Sequence, residues 1–199
     1  VEKSKFIEKR IYLHKHLFGM TNERNSNLNI VKVTLSCIFL GTSIGAITNM
    51  VNASVSPYYF QSVMRWNFTN IWGASVAQGI FEGTIYGIIF SFVFSWAFYA
   101  ITKNQASYSF AFQQLYKICL FILVCWALGG LLAVLLASLS AEFFVNAFPL
   151  APNSGADLLK FAWVGGSIWG SMAGSILGCL LGIFVTKNEW AKQTNLKTR

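Results

Sequence analysis

The chain has 199 residues, of which 55% are hydrophobic, 16% aromatic and only 11% charged, with a net charge of +8. A soluble globular domain carries about 25% charged residues, and the shortfall here is concentrated in four long stretches that are almost free of charge. That pattern excludes an ordinary soluble domain. The bases sit at the ends of the apolar stretches, as topology determinants do, so the charge does not point to nucleic acid as a partner.

Residues 1–29 are polar and basic, and Phe6, Ile7, Ile11, Leu13, Leu17 and Phe18 recur at near-helical spacing among the lysines and arginines. This reads as a basic amphipathic helix on a membrane surface, with a partner-binding or solvated helix as the alternative. The first apolar run begins near residue 30 and is too long for the apolar core of a signal peptide.

Four membrane spans are expected, over 30–51, 71–100, 118–140 and 161–185. They define an all-α integral membrane protein with a first two-helix repeat over 30–100 and a second over 118–185. A polar inner loop over 101–117 lies between them, and a basic tail over 186–199 follows. All three prolines fall between spans, as helix interiors require. Lys and Arg favour the N-terminal segment, the 101–117 loop and the tail, so the positive-inside rule places both termini in the cytoplasm, or in the matrix or stroma of an organelle, and the 52–70 and 141–160 loops outside. A bacterial inner membrane is the expected location, with the lipid bilayer as the surrounding medium.

The evidence for duplication is internal. Ala53-Ser54-Val55-Ser56-Pro57-Tyr58-Tyr59-Phe60 matches Ala137-Ser138-Leu139-Ser140-Ala141-Glu142-Phe143-Phe144 at an offset of 84. Ser56 and Ser140 are placed as N-caps, Pro57 suits the first helical position and Glu142 suits the positive end of a helix dipole. A short aromatic interfacial helix is therefore predicted after each outward crossing. In the second span Ser75, Gly79, Gly83, Gly87 and Ser91 repeat every fourth residue. In the fourth, Gly166, Gly170, Gly174, Gly178 and Gly182 do the same, at an apparent offset of 91. The seven extra residues fit the loop from Pro149 to Asp157. Two spans per copy make the copies parallel.

Lipid tails are as apolar as leucine, so helices in a bilayer associate through close backbone approach at small residues. The glycine-zipper stripes are expected to pack against each other, against another helix of the same unit or against another chain. Other membrane-protein chains, the same chain or a larger complex, are thus the expected partners.

Glu82 is the only acid inside a span, with Gln78 one turn away on the same face. With Asn49 and Asn52 it makes a candidate polar site confined to the first unit, since their counterparts at the two offsets are Ala173, Ala133 and Leu136. Glu82 reads either as glue between helices or as the centre of a path for protons, cations or a small solute. The four cysteines form no C-x-x-C pair and the two histidines lie in the N-terminal segment. No catalytic, metal or cofactor site is therefore expected. Ser-Pro-Tyr-Tyr-Phe at 56–60, with Ala-Gln-Gly-Ile-Phe-Glu-Gly at 77–83, resembles a pattern in uncharacterised bacterial multi-pass membrane proteins, where S-P-E-Y-F follows a first span. Tyr58 stands at the usual acid position, and Glu142 keeps the acid in the second copy. The resemblance implies a multi-pass fold and no particular activity. The expected role is a small non-enzymatic membrane protein, a homo-oligomer or an accessory subunit, with a conduit centred on Glu82 as the alternative.

Overall fold

In a bilayer the backbone must satisfy its own hydrogen bonds, and helices do so within one segment. The computed structural model describes residues 30–153 and 155–197, and among them all regular structure is helical. The order is α1 (Ile30–Val55), α2 (Pro57–Val63), α3 (Ile71–Thr102), α4 (Tyr108–Leu139), α5 (Ala141–Ala147) and α6 (Gly155–Lys197). The helices α1, α3, α4 and α6 are long and apolar enough to cross a membrane. The amphipathic segment expected over 1–29 lies outside the described residues.

The two short helices start for the reasons their sequence gives. Ser56 accepts a bond from Tyr59 N–H, with Pro57 at the start of α2. Ser140 accepts one from Phe143 N–H, with Glu142 in the first turn of α5. Phe60 and Phe144, equivalent at offset 84, are each the buried residue of their helix.

The long helices exceed the expected spans. The expected loop over 101–117 is a tight turn: Lys103 and Asn104 adopt positive φ, and Ser107 caps α4 by accepting from Phe110 N–H. Residues 108–117 are helical, because hydropathy marks where a helix is apolar and not where it begins. The tail expected over 186–199 is helical to Lys197. Its turns pack on the start of α4: Lys117 Nζ lies 2.7 Å from Glu189 Oε1, Gln114 donates to Glu189 Oε2 at 2.7 Å, and the Phe110 and Trp190 rings lie 5.7 Å apart.

Each small-residue stripe packs inside its own unit. Gly45 sits so close to Gly79 that a Cβ on either would overlap the other's carbonyl oxygen, and Gly41 and Gly83 do likewise along α1 and α3. Threonine hydroxyls of Thr42 and Thr84 meet at 2.8 Å in the same seam. In the second unit Gly129 packs on Gly166 and Gly170, and Cys125 packs on Gly170 and Gly174. Gly178 and Gly182 face only the side chains of Ile118, Phe121 and Ile122.

These contacts correct the repeat register. Gly45 corresponds to Gly129 at offset 84, and its neighbour Gly79 corresponds to Gly166 at offset 87, not 91. Gly83 and Gly170 agree, since their neighbours Gly41 and Cys125 are also 84 apart. A pattern with a small residue every fourth position matches itself equally well one turn along, so composition alone could not fix the register. Three extra residues, not seven, separate the crossings of the second unit. The structural counterpart of Glu82 is therefore Trp169, and the pairing with Ala173 does not hold.

Candidate functional site

With the glycine seams closed inside each unit, the units meet mainly at their two ends. At the end carrying α2 and α5, Ala53, Phe60, Ile71 and Val164 form a buried cluster, joined by Tyr59, Trp66 and Trp163. At the opposite end Val33, Cys37, Phe94, Ala111, Leu115 and Ile118 form another, joined by Phe90 and Phe98. Between these plugs all four long helices line a cavity of about 450 Å³. Its walls from α1 and α4 are buried or half-buried, whereas Tyr86, Ile89 and Val93 of α3 and Met172, Ile176 and Leu180 of α6 are exposed. The cavity therefore opens sideways between α3 and α6, in the direction of the lipid.

The structure brings three of the four polar candidates to this cavity: Asn49, Asn52 and Glu82. Gln78 is not on the wall. It donates to Glu82 Oε1 at 2.6 Å and so holds the carboxylate from one turn away. Glu82 is half-buried, and neither ion pair found among the described residues includes it. An ionised acid at mid-helix costs about 2.5–3.5 kcal/mol on insertion scales, which a single neutral amide offsets only in part. Asn49 is helix glue, donating to the Ser75 carbonyl at 3.2 Å.

Asn52 ties the two units together. It is 1% exposed, and its Oδ1 accepts from the fully buried Ser167 hydroxyl at 3.0 Å. Its Nδ2 has no partner among the described residues. Turning the amide over keeps the Ser167 link, with Nδ2 as donor, and leaves the oxygen unpaired instead. Either way one buried polar atom of Asn52 is left over, and buried polar groups normally find partners.

The second unit adds wall residues that polarity did not single out. Trp126 lines the cavity, its buried Nε1 without a partner among the described residues and its ring edge-on to Trp163 at 5.5 Å. A tryptophan at mid-span, away from the interfacial belt, was the available signal for it. Ser171 and Ser175 line the wall with hydroxyls bonded only to their own helix. Cys37, Cys119 and Cys179 also reach it from three helices as free thiols. Among the described residues no group of His, Cys, Asp and Glu could hold a metal ion.

The fold and site together define a four-span helical membrane protein built of two close-packed helix pairs around a laterally open cavity. No protein-family model, curated protein or solved structure matches this chain.

Proposed function

We propose that this chain is a non-enzymatic membrane protein that takes a small lipophilic solute from the bilayer into the cavity between its two units. The observation that supports this reading is the placement of Asn49, Asn52 and Glu82 on the wall of one half-open cavity of about 450 Å³. That volume lies within the range of about 300–1,000 Å³ usual for small-molecule sites, which combine mostly apolar walls with a few polar groups. Both termini face the cytoplasm in this reading, and the cavity is reached from within the membrane. An open pore for protons or ions is less well supported, because apolar clusters bar both ends. Self-association loses the support that the stripes lent it, since their glycines are occupied within the chain.

The test is native mass spectrometry of the full chain released from mild detergent. The wild type should retain one small lipophilic molecule per chain. Ser175→Phe, which fills the cavity at a position whose hydroxyl serves only its own helix among the described residues, should emerge bare while still melting in one cooperative transition. A wild type that emerges bare, or a filled variant that keeps its passenger, sinks the proposal.

A further inference from the structure

Resting on that reading, we infer that the solute is a lipophilic cation, admitted sideways between α3 and α6 and held by Glu82.

Charge makes the first case. Among the described residues, Glu82 is the only formally charged one on the cavity wall, and no Lys, Arg or His lines it. Among the described residues its carboxylate receives one hydrogen bond, from the neutral amide of Gln78. Opposite charges attract more strongly as the surroundings become less polar, so a half-open cavity facing lipid gives a lone acid a strong preference for a positive guest. An anion would meet the same acid as a repulsion.

The rest of the wall says what kind of cation. A tightly held metal ion usually draws on several His, Cys, Asp or Glu side chains gathered at one point, and no group of three or more of these exists among the described residues. The remaining surface is mainly aliphatic and aromatic, including Tyr86, Phe90 and Trp126, whose ring faces attract organic cations. An organic cation with apolar substituents satisfies the acid and the apolar wall together. A lipid acyl chain satisfies only the last.

The experiment uses the full chain in nanodiscs of zwitterionic lipid, titrated calorimetrically with tetraphenylphosphonium and with triphenylphosphine oxide. Both are phenyl-substituted phosphorus compounds, but the oxide is neutral and bears a hydrogen-bond acceptor in place of the fourth phenyl group. The phosphonium should bind at one per chain and at least about ten-fold more tightly, a preference one buried charge readily supplies. Glu82→Gln should bring the two within about two-fold of each other, Glu82→Asp should keep the preference, and Ser175→Phe should lose both. Equal or tighter binding of the oxide, or a cation preference that survives Glu82→Gln, overturns the inference. If Ser175→Phe empties the chain in the mass-spectrometric test but no cation preference exists, the cavity reading stands and the cation assignment alone falls.

Discussion

Gly41→Ala is the sharpest test of how the first unit is held. A Cβ at Gly41 would lie 2.6 Å from the Gly83 carbonyl oxygen, 2.9 Å from Gly87 Cα and 3.2 Å from Gly87 N. All three are backbone atoms of α3, so no side chain can swing aside. Restoring an ordinary 3.4 Å contact with that oxygen requires α1 and α3 to part locally by about 0.8 Å. A gap of that size forfeits about a quarter to a half of the dispersion well for each facing atom pair. Overpacking of this kind costs about 1–3 kcal/mol, and in lipid no hydrophobic term compensates. Gly178→Ala is the control. Its Cβ would meet Phe121 Cδ1 at 3.2 Å and Ile118 Cγ2 at 3.4 Å, both on movable side chains. Reversible unfolding in mixed micelles should show the first variant destabilised by about 1–3 kcal/mol and the second by less than about 1 kcal/mol. Equal losses, or a neutral Gly41→Ala, would mean that backbone approach is not what closes the seam.

Three further outcomes are expected. Ser167→Ala should destabilise the fold more than Asn52→Ala in the same unfolding assay. The first strands the whole buried Asn52 amide, at about 1–3 kcal/mol, while the second removes an already unpaired atom and leaves Ser167 bonded to the Val164 carbonyl. Glu189→Ala should cost more than Lys117→Ala: the partly exposed ion pair is itself worth about 0–1 kcal/mol, but Gln114 is 1% exposed and donates to Glu189. Equal thermal midpoints for the two variants would deny Gln114 that role. Ser56→Ala should cost about 1 kcal/mol through loss of the α2 cap, read by thermal melting, and an unchanged midpoint would show that Pro57 and Phe60 set α2 without it.

Much of this fold can be read locally. Apolar length gives the crossings, because a helix in lipid needs about 20 such residues, and Ser56, Ser140 and Pro57 mark α2 and α5 through backbone chemistry that acts within one turn. What distance along the chain conceals is less local. Lys117 looks like a loop base until Ser107 caps α4 ten residues upstream and Glu189 arrives from the far end of α6. Asn52 looks like a weak polar residue near a helix end until Ser167 closes on it from the other unit. Polarity brought Asn49, Asn52 and Glu82 forward because each is costly in lipid. Trp126, Ser171 and Ser175 cost little there, so nothing in polarity marked them as wall residues of the cavity.

The placement of a single site in a duplicated chain has a geometric cause. At the corrected register, α6 meets the cavity with Ile168, Met172, Ser175 and Cys179, whose counterparts on α3 are Phe81, Ile85, Ile88 and Phe92. Those four are exposed and off the cavity wall. Conversely, α3 presents Glu82 to the cavity, while its counterpart Trp169 is 66% exposed and off the wall. On α4, Leu115 and Cys119 line the cavity, and their counterparts Val31 and Leu35 on α1 are exposed. Equivalent positions of α3 and α6 both reach the cavity only at its lateral opening, Ile89 with Ile176 and Val93 with Leu180; elsewhere the units use different faces against each other, nearer a head-to-tail contact than a twofold one. A twofold contact would place position 82 and its counterpart on facing walls and would require both to tolerate the same guest. Head-to-tail packing frees the second unit from that requirement, so a lipid-facing tryptophan at 169 and an intramembrane acid at 82 can occupy equivalent positions of one repeat.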